Sequence, residues 1–204
     1  MSPKTLSVEL PPPWTTRDVT AVRRQTVNPM TFRTDRLLVF PMALNAVHDA
    51  FPALSDPQVY AYLDDGPPED PTALERRWGR YLAGSGDPAV LWLNSLVREV
   101  DTARVIGWVQ ATVYLHRKTA DIGYVLHPDS WGRGYGTEAV RALVEWLFTT
   151  YPLSAIEASV DTRNVRSQRL LERLGFMGVE TARQEPAEPG IPVDYHYRKH
   201  RAII

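Results

Sequence analysis

Apolar positions in the middle of the chain recur at every second residue. The runs "VLWLNSLVRE" (90–99), "RVIGWVQATVYL" (104–115) and "TADIGYVLHP" (119–128) are rich in β-branched and aromatic residues and are joined by short turns. That texture predicts three consecutive antiparallel strands rather than a series of helical crossovers. On both sides the period lengthens. Asp70 and Pro71 have the cap-then-proline order of a helix start, and Leu74, Arg77, Trp78, Tyr81 and Leu82 follow at helical spacing to a Gly84-Ser85-Gly86 stop. Ala139, Val140, Leu143, Val144, Leu147 and Phe148 mark a longer helix ending near Tyr151-Pro152, with Arg141 and Glu145 as an outward pair one turn apart. "AIEASVD" sets Ile156, Ala158 and Val160 against Glu157, Ser159 and Asp161, as a strand with one buried face should. A second helix from Asn164 carries Leu170, Leu171 and Leu174 and stops at Gly175. "RLLVF" reads as a strand, "NAVHDAFPAL" and "PQVYAYL" as short helical pieces, and "MGVETAR" and "VDYHYRKH" as closing strands around a Pro-rich turn.

Residues 1–30 have a different texture. Pro3, Pro11, Pro12, Pro13 and Pro29 block helix and remove ladder donors, which predicts an extended arm in which only "LSVEL" has strand character. The domain proper is expected over 31–204, without internal repeats. Charge changes the picture by exclusion: with 23 Lys plus Arg against 24 Asp plus Glu, the formal net charge of −1 offers no field for nucleic acid or an anionic membrane. The absence of cysteine removes disulfides, thiolate metal sites and a cysteinyl acyl intermediate. The histidines show no ligand spacing, so no metal is assigned. No leader pattern or stretch of about 18 apolar residues is present, and the expected setting is cytoplasmic.

The chemistry concentrates at "HPDSWGRGYGTEAV" (127–140), where Gly132, Gly134 and Gly136 sit at alternate positions and run into the long helix. A strand, a glycine-rich turn and a helix N-terminus leave main-chain N–H groups free at the positive end of a helix dipole, a site suited to a pyrophosphate. The same glycines also serve tight turning and close packing. A dinucleotide site of Rossmann type finds some support in Glu157 and Asp161 downstream. Against it stand the G-x-G-x-G spacing, the antiparallel strands upstream and the lack of a second half. No Gly-Lys-Ser/Thr follows, as a nucleoside-triphosphate loop requires.

With the flanking segments "TDRLLVFP", "NVRSQRLLERLGF" and "VDYHY", the glycine loop resembles the acetyl-coenzyme A site of the GNAT superfamily of N-acetyltransferases, over roughly residues 32–200. Trp131 stands where the usual pattern has Arg or Gln, and with "ADIGY" and "TEA" it resembles the RimJ/RimL-like branch, which acetylates protein N-termini or small-molecule amines. The resemblance implies an α+β (α/β/α) fold, with a mixed, mostly antiparallel central sheet flanked by helices. It implies acetyl-CoA as cosubstrate, with the amides of Gly132, Arg133, Gly134, Tyr135, Gly136 and Thr137 around the pyrophosphate beside Trp131. Val125 and Leu126 would end a strand that pairs with the pantetheine arm, and Arg133 would add charge near the phosphates. Asn164 reads as a helix cap, and the family pattern also lets it contact the cofactor.

Ser167 lies on the inward face with Leu170, Leu171 and Leu174. It either returns its proton to a carbonyl one turn back or hydrogen-bonds the departing sulfur. Many members place a tyrosine at the position of Leu171 for that task. The attacking amine must be neutral, and free α-amines and lysines titrate at about 7.7–8.0 and about 10.4, so a proton acceptor is needed. Asp121 is the first candidate, with Tyr195 and His196 behind it. The lack of cysteine favours direct attack of the amine on the thioester in a ternary complex. Asp64, Asp65, Glu69 and Asp70 lie in the loop expected over the acceptor side, where they draw in a cation or simply form a solvated turn. Six tryptophans, among them Trp92 and Trp108 on central strands, supply core or an apolar acceptor pocket. The expected assembly is a monomer or homodimer. The competing classes are a coenzyme A binding module without catalysis and, more remotely, a nicotinamide-dependent oxidoreductase.

Overall fold

The computed structural model describes residues 30–179 and 194–202. "LSVEL", the end of "MGVETAR" and the Pro-rich turn lie outside the described residues. The chain runs β1 (Phe32–Arg33), β2 (Leu37–Pro41), α1 (Val47–Leu54), α2 (Pro71–Leu82), β3 (Val90–Glu99), β4 (Val105–Tyr114), β5 (Thr119–Leu126), α3 (Tyr135–Thr150), β6 (Ala155–Asp161), α4 (Val165–Arg173), β7 (Met177–Gly178) and β8 (Asp194–His200). The strands form one sheet in the order β1-β2-β3-β4-β5-β6-β8-β7. Its pairings are antiparallel except that of β5 with β6, which is parallel. This is the α+β arrangement expected.

Each local signal has its physical counterpart. The Asp70 carboxylate accepts the Ala73 N–H at 2.6 Å and opens α2, which buries Leu74 and Trp78. The Asn164 side chain caps α4 by accepting the Ser167 N–H at 3.1 Å. Gly175 ends that helix in the left-handed region at φ +77°.

The two faces of the sheet carry separate cores. Ile122, Leu126, Ile156, Ala158 and Val160 pack with the inward stripes of α3 and α4, including Leu143, Leu147 and Leu171. Leu96, Val105 and Val125 pack with α1 and α2 through Leu54, Leu74 and Trp78. Asp161 departs from the outward row expected of β6. It is buried, because Arg163 grips its carboxylate with Nη2 at 2.6 Å and Nε at 2.9 Å and adds a main-chain N–H at 2.8 Å.

Leu143 is fully buried in the α3 core. Leu143→Ala is expected to cost about 2–5 kcal/mol, read as a lower urea midpoint at unchanged denaturant slope.

Candidate functional site: a parted strand pair beneath a glycine loop

β5 and β6 pair over only three positions, Thr119–Asp121 against Ala155–Glu157, yet β5 continues to Leu126 and β6 to Asp161. Beyond Asp121 the strands part. β5 stays laddered to β4 throughout, and the His127 N–H donates to the Ile106 carbonyl at 2.8 Å. Antiparallel alternation then turns the main-chain groups of Val125, Gly123 and Asp121 toward β4, and those of Ile122, Tyr124 and Leu126 into the gap. Val125 therefore departs from its expected role: its amide is committed to β4 and its side chain to the α1/α2 core. The Leu126 carbonyl is also engaged, accepting the Trp131 indole N–H at 2.7 Å.

The loop closes one end of this gap. Gly132 and Gly134 have φ of +72° and +82°, where a side chain would be strained. Gly136 serves a different need, since a Cβ there would meet Leu170 Cδ1 at 3.0 Å, where α3 crosses α4. Gly134 precedes α3 without a side-chain cap, and the first helical main-chain bond is Glu138 N–H to the Gly134 carbonyl at 3.0 Å. The N–H groups of Gly132, Arg133, Gly134, Tyr135, Gly136 and Thr137 have no acceptor among the described residues. They lie at a helix N-terminus, with Gly132, Arg133 and Gly134 exposed, the arrangement that receives an anion.

The Arg133 side chain does something else. Its Nη2 donates to Glu99 Oε1 at 3.1 Å, its guanidinium lies 4.7 Å from the Tyr135 ring centre, and the Tyr135 hydroxyl also donates to Glu99. Glu99 is buried, and the Tyr135 hydroxyl, the Thr102 hydroxyl and Arg133 hold its pKa below the usual carboxylate range. A second cation, Arg166 at the start of α4, sits 4.8 Å from the Trp131 ring centre. The sequence reading missed it. Its position in the first turn of α4, facing the glycine loop's tryptophan, was the available signal.

Ser167 does not back-bond to its own helix. Its Oγ lies 2.7 Å from the Tyr124 phenol oxygen, so β5 and α4 are bridged across the gap. Burial pushes the Tyr124 pKa up to about 12, which keeps the phenol protonated. Tyr124 is the second residue the sequence reading missed. Alternation with Ala120 and Ile122 turns it toward α4. Leu171 is wholly enclosed in the core.

Asp121 sits where the parting begins, on the α1/α2 face of the sheet. Its Oδ2 accepts the Tyr114 hydroxyl at 3.2 Å. Burial raises its pKa, the Tyr114 bond opposes this, and nearby Glu157 raises it further while Arg117 and His196 lower it. His196 shares this face and bonds Ser159 at 2.9 Å. Tyr195 is turned to the other face with Tyr197, so the structure does not bring it together with Asp121.

The acidic loop divides in use: Asp70 caps α2, and Asp65 accepts the Tyr81 hydroxyl at 3.4 Å. Asp64 and Asp161 lie near Asp194, whose pKa is raised by burial and then by those charges. A cavity of about 30 Å³ opens between α1, α2 and the sheet, lined by Tyr60, Leu63, Asp65, Trp78, Tyr81 and Trp108 among others. Of the two strand tryptophans, Trp108 thus lines a pocket, whereas Trp92 is exposed.

The chain is similar to known proteins in sequence and in fold. The model of the acetyltransferase (GNAT) domain matches residues 36–177. An uncharacterised N-acetyltransferase of Bacillus licheniformis, p20, is 29% identical over 85% of this chain and 91% of its own length. The uncharacterised N-acetyltransferase YoaA of Bacillus subtilis is 36% identical over 46% of this chain, a stretch that spans 54% of YoaA. Spermidine N-acetyltransferase from Vibrio cholerae, solved with CoA and spermine, shares the fold with a TM-score of 0.67 at 15% identity, over 82% of this chain and 96% of that one.

Glu99 supports the folded state while ionised. Its pKa is depressed on folding, so its contribution is complete above the ordinary carboxylate value and fades as pH falls through the lowered folded value. Tyr135→Phe removes the first of its donors, and unfolding free energy measured from about pH 6 downward should then fall less steeply with acidification than in the unaltered protein.

Proposed function

Because the chain belongs to the GNAT family of acetyltransferases, whose members take the acetyl group from acetyl-CoA, we propose that it transfers that group directly to a primary amine, in the manner of the RimJ/RimL-like branch. The observation that carries the reading is the parting of β5 and β6 immediately under a loop of unengaged amides. An extended, amide-bearing arm can complete the free edge of β5 through Ile122 and Tyr124, while a diphosphate meets the amides of residues 132–137. From Leu126 back to Asp121 the strand runs about 16 Å at ~3.3 Å per residue, so an arm anchored at the loop brings its thioester toward Asp121.

The residues divide the work by sheet face. On the α1/α2 side, the Asp121 carboxylate first takes one proton from the ammonium; the free amine nitrogen then bonds to the thioester carbon, and the second proton it sheds passes to the departing sulfur, which leaves as the CoA thiol. On the α4 side, the Ser167 hydroxyl, held by Tyr124, hydrogen-bonds the sulfur as the carbon–sulfur bond breaks. Arg166 over Trp131 supports the negative charge of the donor at the loop. Asp64 and Asp194, with Asp121 and Glu157 deeper in the face, favour an acceptor that arrives as a cation. A small polycationic amine fits this rim.

Asp121→Asn should lower kcat/KM most between the pKa of Asp121 and that of the amine, where the carboxylate is ionised and the amine still carries its proton, and least where the amine is already neutral. Since the Asp121 pKa is raised, the acid limb should lie above the usual carboxylate range and disappear in the variant; an identical pH–rate profile would remove Asp121 from the reaction. Initial-velocity lines for acetyl-CoA against amine should intersect, and parallel lines would require an acyl-enzyme instead.

A further inference from the structure

The glycine loop is braced from behind by a residue that the motif reading leaves without a task. Arg36, just ahead of β2, donates from Nη1 to the Arg133 carbonyl at 2.9 Å. Its Nε and Nη2 engage Glu138 Oε2 at 2.7 and 2.5 Å, and its main-chain N–H reaches Oε1 at 3.1 Å. The Thr34 hydroxyl adds a bond to the same Oε1 at 2.5 Å. The guanidinium lies 4.5 Å from the Tyr135 ring centre, and a Cβ placed on Gly134 would come within 3.4 Å of Arg36 Nη2. The side chain is thus seated against the turn itself.

Peptide geometry turns this contact into a statement about the donor site. In a trans peptide the carbonyl and the following N–H point in opposite directions. Holding the Arg133 carbonyl therefore aims the Gly134 N–H away from Arg36, to the side of the loop that is free. Charge gives a second reason. Glu138 lies in the first turn of α3, where an incoming diphosphate would meet its negative charge, and the Arg36 fork offsets it.

We propose that Arg36 is a positioning residue for the diphosphate of the donor: through the Arg133 carbonyl it sets the direction of the Gly134 amide, and through Glu138 it cancels a carboxylate beside the cradle. This rests on the donor reading above. Because Glu99 holds the Arg133 side chain, the loop's own arginine acts as a strut, and the loop itself offers main-chain dipoles, among them the Gly134 amide whose direction Arg36 fixes, beside the Arg166 cation over Trp131.

The test is calorimetry with CoA, which carries the diphosphate, and with pantetheine, which lacks it, on the unaltered protein, R36A, R36Q and R36A/E138Q. Thermal midpoints verify folding, and the two single variants guard against one of them failing to fold. Loss of Arg36 should weaken CoA about tenfold or more and leave pantetheine unchanged, and E138Q should restore part of the loss in the R36A background. An equal loss for both ligands, or undiminished CoA affinity, overturns the positioning role while the donor reading stands. An unaltered protein that binds CoA no better than pantetheine removes the donor reading and this inference together.

Discussion

Two neighbouring strands that begin paired and then separate set the terms for the rest of this molecule. A parallel ladder that stops after Asp121 leaves main-chain donors and acceptors facing a gap in the middle of a sheet, where unpaired polar groups are costly. The surroundings answer that cost in part. Trp131 takes the Leu126 carbonyl, and the Tyr124–Ser167 pair spans the opening. What they leave free is an edge of defined length, running from the glycine loop to a carboxylate. On one face, Gly136 lets the Leu170 side chain of α4 approach the start of α3.

Electrostatics around the opening follows one rule. Four arginines around the opening are matched with carboxylates of the fold, Arg36 with Glu138, Arg133 with Glu99, Arg163 with Asp161 and Arg198 with Glu157, while Arg166 lies over the Trp131 ring. These pairs brace loops and strand ends, and they leave the anion to the amides at the mouth of α3. Amides held by a rigid frame need little reorganisation when a diphosphate arrives. The acceptor face is treated differently. Asp121 and Asp194 have pKa values raised by burial, and their surroundings include further carboxylates.

The alternation of the central strands, the stripes of α2, α3 and α4, and the caps at Asp70 and Asn164 are local properties, and they were legible for that reason. The glycine loop was legible because three departures from ordinary helix-start chemistry stand together. What stayed hidden is what depends on register and on partners distant in sequence. No periodicity tells that the Val125 amide belongs to β4, that Tyr124 meets Ser167, or that Asp161 turns inward once Arg163 folds back on it. Arg133 reads from the sequence as charge near the phosphates, and its pairing with Glu99 of β3 depends on a partner distant in the chain. Tyr195 and His196 are adjacent in the chain and so fall on opposite faces of β8, which separates two residues that the sequence offered as alternatives for one role.

The place of β8 between β6 and β7 has a consequence for biogenesis. The outer edge of β6 is covered only by a strand translated after every other described element. As the chain emerges from a ribosome, β1 to β5 can assemble by neighbour-to-neighbour pairing, whereas β6 must wait with one edge bare. Bare edges recruit other chains, so the interval before β8 arrives exposes an edge that the finished sheet covers. A chaperone that shields strand edges would find its client window there.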